Sequence, residues 1–132
     1  MTDSTKQVFD TVALVGLGLI GSSLARAIRK FGLARKVVAC VRPGPTADKV
    51  RMLDLADQVS ESLTEGVRDA DLVILCTPVG TFGQLAADMA PHLKPGAIVS
   101  DVGSVKARVI EDVAPHLPET VHLIPAHPVA GT

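Results

Sequence analysis

Three glycines constrain this chain more than any other feature. Gly16, Gly18 and Gly21 form G-x-G-x-x-G between the apolar run Val12-Ala13-Leu14-Val15 and a segment with Ile20, Leu24, Ile28 and Phe31 at helical spacing. A continuous apolar run marks a strand covered on both faces. Apolar residues three and four apart mark a helix with one buried face. Arg26, Arg29 and Lys30 gather where the helix should end, and Gly32 follows as a stop. The stretch Thr11 to Phe31 therefore reads as strand, glycine turn and helix. In that context Gly16 permits the tight turn, Gly18 lets a pyrophosphate approach the backbone, and Gly21 lets helix and strand pack closely. The helix N-terminus offers free N–H groups to phosphate. Gly16, Gly18, Leu19, Ile20 and Gly21 are the candidate dinucleotide-binding residues of this turn. A tight turn without a ligand is the plainer alternative.

The remaining chain repeats the alternation. Lys36 to Val41 is a second apolar strand, closing a βαβ unit of about 30 residues. Pro43-Gly44-Pro45 breaks the chain, and Thr46 is placed to cap a helix through Leu55. A short strand is expected near Val59, then a loop or short helix. Asp71 to Thr77 reads as a strand stopped by Pro78. Thr81 and Gln84 match a capping box for the next helix, with Leu85 and Met89 on one face. Ala97 to Asp101 and Val121 to Ile124 are further strands. Between them, Val105, Val109, Val113 and Leu117 mark a helix face. ADMAPHLKPG and EDVAPHLPET share an Ala-Pro-His-Leu exit, so His92 and His116 read as helix-end residues rather than metal ligands. His122 reads as structural or surface-facing. Strands alternating with helices imply an α/β fold: a Rossmann-type, doubly wound parallel sheet of about six strands in order 3-2-1-4-5-6. Residues 1–9 read as a tail and 10–132 as one dinucleotide-binding domain.

Composition narrows the partners. The chain has 132 residues, a net charge of −1, no Trp or Tyr and three Phe. No basic run tracks a nucleic-acid backbone, and few aromatic platforms exist for bases. No apolar run is long enough to span a bilayer, and MTDSTKQ lacks a signal-peptide core. A cytoplasmic location with neither nucleic-acid nor membrane partners is expected. Cys40 and Cys76 lie in apolar runs and read as small buried residues; no metal site is expected.

Four clusters at strand ends carry the chemistry. Where an NAD-selective fold places a carboxylate, this chain has Val41 and Arg42, and none follows until Asp48. A cation there suits a 2′-phosphate, so NADP is favoured and NAD remains possible; Arg42 stacking on adenine or standing in solvent is the plainer alternative. Thr77-Pro78 should lie under the cofactor, or simply end a strand. Ser104 and Lys106 follow Asp101; Ser104 could be a plain N-cap, whereas a cation in the first turn opposes the dipole. His127 follows the last strand, at the sheet edge suited to catalysis; a structural histidine is the plainer alternative.

GLGLIGSS at 16–23, DVGSVK at 101–106 and HPVAGT at 127–132, joined by DADLVILCTPVGTF at 69–82, resemble the nucleotide-binding half of prephenate/arogenate dehydrogenases. The resemblance covers about Phe9 to Thr132. It implies oxidative decarboxylation of a cyclohexadienyl alcohol by hydride transfer to NAD(P)+, in tyrosine biosynthesis. It also implies that His127 takes the substrate hydroxyl proton and that Ser104 bridges this histidine and the nicotinamide. Prephenate or arogenate is the small-molecule substrate it implies. The family adds a helical domain that binds the substrate carboxylate and forms a homodimer. That domain is missing from these residues, so cofactor binding with negligible turnover is expected, together with an apolar face prone to self-association. Val41 departs from members with an acidic residue there. The alternative is the cofactor domain of another reductase, of the β-hydroxyacid or imine type.

Overall fold

The first strand shows how the sequence builds the sheet. In β1 (Phe9–Val15), every residue from Thr11 to Val15 is buried. Alternate side chains enter separate cores: Val12 and Leu14 one, Ala13 and Val15 the other. Both faces of this strand are therefore covered, which explains the unbroken apolar run.

The structure, a computed structural model, describes residues 8–102 and 106–125. After β1 come α1 (Leu19–Lys30), β2 (Ala34–Cys40), α2 (Pro45–Met52), β3 (Gln58–Ser60) and α3 (Leu63–Gly66). Then follow β4 (Leu72–Leu75), α4 (Phe82–Met89), β5 (Ile98–Asp101), α5 (Lys106–Val113) and β6 (His122–Leu123). The six strands are all parallel, in the order β3-β2-β1-β4-β5-β6. The expected fold class and strand order thus hold. β1 starts at Phe9, the last residue of the expected tail, and Val8 N–H just before it bonds Leu33 O; residues 1–7 lie outside the described ones.

One core packs Phe82, Ala86 and Met89 of α4 and Val109 and Val113 of α5 against Ala13, Val38, Val73, Leu75 and Val99. Phe82 is fully buried, and its burial contributes about 2–3 kcal/mol. The other core sets Ala25 and Ile28 of α1 and Ala47 and Val50 of α2 against Val12, Leu14, Val37 and Ala39. On that second face, Leu72, Ile74 and Ile98 stay half-buried, and His122, in register with Ile98, is exposed.

Several local expectations are corrected. The buried stripe of α1 is Gly21, Ala25 and Ile28, while Ile20 is 51% and Phe31 57% exposed. Ile28 of the expected row is buried and Leu24 packs half-buried on the same core, but small Gly21 and Ala25 bring the helix axis close to the sheet and leave Ile20 outside; Phe31 lies at the C-cap, where the chain leaves the helix. Gly32 does end α1, at φ +63°. Thr46 does not cap α2. Gly44 is its N-cap and Pro45 its first residue, since proline's fixed φ suits that position and its missing N–H costs nothing there. The helix stops at Met52, short of Leu55, though Leu55 is still buried.

The capping box at Thr81 and Gln84 does not form. A 3₁₀ turn, Val79–Thr81, precedes α4 and puts Thr81 in a helical conformation. Its hydroxyl is used backward, donating to Pro78 O at 2.6 Å, while Gln84 Nε2 donates to Asp88 Oδ1 at 2.9 Å. Both Ala-Pro-His repeats form 3₁₀ turns at helix exits, as reused turn chemistry predicts. Cys40 is buried, but β4 ends before Cys76, which is half-buried; both are free thiols.

Candidate functional site

The strand order reverses its direction of growth between β1 and β4, and a crevice opens there at the carboxyl ends of the strands. It is a cleft of about 600 Å³, within the size range of small-molecule sites. Its walls come from the glycine turn, the β2–α2 connection, the start of α3, the end of β4 and one side of α4.

The glycine turn is anchored on both sides. Gly16 N–H bonds Cys40 O at 2.9 Å, and Cys76 N–H bonds Val15 O at 2.9 Å. Gly16 adopts φ +88°, and a Cβ there would stand 2.6 Å from Thr77 Cγ2. A Cβ on Gly21 would meet Gly16 O at 2.7 Å, so this glycine sets how closely α1 sits on the turn. Gly18 differs: it is exposed, and a Cβ built on it has nothing within 4 Å. The space beside it is open backbone surface, a cradle that a side chain would fill. Gly18 is also the N-cap of α1, with no side chain capping the helix and no acidic residue in its first turn. That end keeps its N–H groups and partial positive charge for an anion.

Of the residues singled out from sequence, Gly16, Gly18, Arg42, Thr77 and Pro78 line the cleft. Leu19, Ile20 and Gly21 form the first turn of α1 beside it, Leu19 being 87% exposed. The methyl of Thr77 faces Gly16, and its hydroxyl lies 2.6 Å from Thr81 Oγ1, which donates to Pro78 O, so the Thr77 proton goes to Thr81. Ser104 and His127 lie outside the described residues. Val41 is buried, its N–H bonded to Ser60 O, and Arg42 is exposed at the cleft. α2 begins beside it at Gly44, again without a side-chain cap. Asp48 pairs with Arg51 at 4.0 Å, and so does Glu61, at 3.0 Å.

Thr81 just before α4, Leu85 and Asp88 within it, and Glu61 and Leu63 after β3, also line the cleft and were missed in the sequence. The offset of Thr81, Leu85 and Asp88 by one residue from the buried Phe82, Ala86 and Met89 could have signalled those three; no such pattern marks Glu61 and Leu63. Burial pushes the thiols of Cys40 and Cys76 up to about 12, with the Asp101 charge adding to the effect at Cys76. Neither is a thiolate nucleophile near neutral pH. Among the described residues no cluster of His, Cys, Asp and Glu could hold a metal ion, and no helix is long and apolar enough to cross a membrane. What the cleft can do is hold an elongated anionic ligand: backbone donors at the glycine turn, a cation at Arg42, and aliphatic walls beyond.

Known proteins agree with that geometry. The family model described as prephenate dehydrogenase, nucleotide-binding domain, matches residues 24–132. A cyclohexadienyl dehydrogenase of Zymomonas mobilis is 44% identical over 125 residues, covering 95% of this chain and 42% of that protein. Synechocystis arogenate dehydrogenase superposes with a TM-score of 0.80 at 34% identity, over 92% of this chain and 42% of that one. Prephenate dehydrogenase from A. aeolicus, crystallised with hydroxyphenyl propionate and NAD+, gives 0.81 at 29% identity, over 93% of this chain and 43% of that one. The chain thus spans about two fifths of the length of these relatives.

Proposed function

The chain belongs to the prephenate dehydrogenase nucleotide-binding domain family, and from that premise we propose that it binds NADP+ in preference to NAD+, as the cofactor half of a prephenate or arogenate dehydrogenase. The observation that carries the reading is the pairing of the open glycine cradle at Gly18 with Arg42 in one cleft. The pyrophosphate lies on the first turn of α1, at Leu19, Ile20 and Gly21. The 2′-phosphate lies between Arg42, the Thr46 hydroxyl and the uncapped start of α2. A buried Val41 stands where a carboxylate would otherwise bond the ribose. Arg51 supports the preference by neutralising Glu61, whose charge would otherwise oppose a phosphate.

The bound dinucleotide supplies the hydride acceptor. His127 accepts the substrate hydroxyl proton as hydride and carbon dioxide leave and the ring becomes aromatic. Ser104 holds this histidine relative to the nicotinamide end. Residues 10–132 form the cofactor domain, and the substrate carboxylate and dimer contacts belong to a helical domain of the kind found in the family. Residues 1–132 alone are therefore expected to bind cofactor with negligible turnover of prephenate or arogenate.

Calorimetric titration with both cofactors tests this. NADP+ should bind more tightly, and Arg42→Ala should weaken NADP+ at least about tenfold more than NAD+, the loss of a charged hydrogen bond. Equal or tighter NAD+ binding rejects the preference. Turnover at the rate of an intact dehydrogenase rejects the statement about the chain alone.

A further inference from the structure

Helix α4 carries two stripes one residue apart. Phe82, Ala86 and Met89 are fully buried against the sheet. Thr81, Leu85 and Asp88 repeat the same i, i+4, i+7 spacing, and all three line the cleft. Thr81 is tied to Thr77, whose methyl packs on Gly16, so this end of the stripe touches the glycine turn. Asp88 stands two helical turns farther out, roughly 10 Å along the axis at about 1.5 Å per residue. The far part of the cleft is thus walled by the aliphatic Leu63 and Leu85 and ends in a carboxylate.

The two carboxylates of the cleft differ. Glu61 is held by Arg51 at 3.0 Å. Asp88 is bonded, among the described residues, by Gln84 alone, an amide one turn back on its own helix that donates to Oδ1. That bond orients the carboxylate without neutralising it. The chain has no Trp or Tyr, and none of its three Phe lines the cleft, so a flat ligand finds aliphatic faces and no aromatic stack. Discrimination among flat ligands then falls on their edges. An ionised carboxylate accepts hydrogen bonds and donates none, so it favours an amino edge and repels a carbonyl.

Resting on the dinucleotide reading above, we infer that Asp88 selects the base of the cofactor, accepting a hydrogen bond from the 6-amino group of adenine and disfavouring a 6-oxo purine. Arg42 and Leu85 line the same cleft as Asp88. Asp88 is a specificity residue in this role, remote from the reacting atoms.

The test compares equilibrium binding of NADP+ with its hypoxanthine analogue, which carries a 6-oxo group in place of the amine. The wild-type chain should bind the adenine form about tenfold more tightly, one hydrogen bond's worth of selectivity. Asp88→Ala should shrink the gap below about twofold, mainly by weakening the adenine form. Asp88→Asn, whose amide can donate as well as accept, should shrink it too. Asp88 is exposed, so circular dichroism should show both variants folded. Equal binding of the two forms by the wild-type chain, or a gap that survives Asp88→Ala, overturns the inference while leaving dinucleotide binding intact. If the wild-type chain binds neither form, the dinucleotide reading itself falls, and the inference with it.

Discussion

The two edges of the sheet treat their polar groups in opposite ways. At the amino edge, carboxylates close the structure on itself. Asp71 Oδ2 accepts from the backbone N–H groups of Asp10 and Thr11, at 3.1 and 2.9 Å, and its Oδ1 meets Lys94 Nζ at 2.5 Å. Asp57 accepts from Val37 N–H at 2.7 Å, and Asp10 pairs with Arg35 at 2.6 Å. At the carboxyl edge, α1 and α2 both start at glycines with no side-chain cap, and Arg42 and Asp88 face a cleft. Donors satisfied internally stabilise a fold; donors left unsatisfied at an edge can be satisfied by a ligand.

The largest effect should come from the residue that blurs this division. Gly21→Val places a branched side chain where a Cβ already meets Gly16 O at 2.7 Å. It should lower stability by about 3 kcal/mol in chemical denaturation, at the upper end for overpacking, and remove cofactor binding with it. A well-folded variant with normal affinity would show that α1 can stand off the turn.

The amino edge should affect stability alone. Asp71→Asn removes the charge facing Lys94 and weakens two backbone bonds, for an expected loss of about 2 kcal/mol with dinucleotide affinity unchanged. The bond from Lys94 is the main cause holding the Asp71 carboxyl below its ordinary 3.8, and the Arg35 bond does the same for Asp10. A carboxyl lowered on folding stabilises the protein above its unfolded value and loses that contribution as pH falls through the folded one. Thermal unfolding should therefore show stability dropping below about pH 4, less steeply in Asp71→Asn. A parallel drop in both proteins would remove Asp71 from the explanation.

The smallest stability change should accompany a clear binding change. Gly18→Ala meets nothing within 4 Å, so it should cost less than about 1 kcal/mol as an altered N-cap. It should nevertheless weaken NADP+ about tenfold by filling the cradle, as calorimetry would read. Unchanged affinity would move the pyrophosphate away from this glycine.

The residues differ in how far they could be read without a structure. Gly16 and Gly21 were legible because their constraints are local: a positive φ and a backbone contact five residues away. The strand order was legible because alternating apolar runs and right-handed crossovers leave few arrangements. The buried face of α1 was misread from Ile20 and Phe31, since bulk marks hydrophobicity and says nothing of how close two axes come. Thr81 was misread because a 3₁₀ turn before α4 redirected its hydroxyl. Leu63 was invisible as a site residue, since only the crossover between β3 and β4 brings α3 to the cleft that α4 also lines.

The sequence by itself determined the parallel sheet and the glycine turn, because these rest on short-range backbone chemistry and on the periodicity of apolar residues; the family was legible only through the resemblance of its motifs. Tertiary structure alone decided which stripe of α4 faces the cleft, and which of the cleft's two carboxylates is paired with a cation. Those outcomes depend on distances between segments far apart in the chain, and no local pattern encodes them.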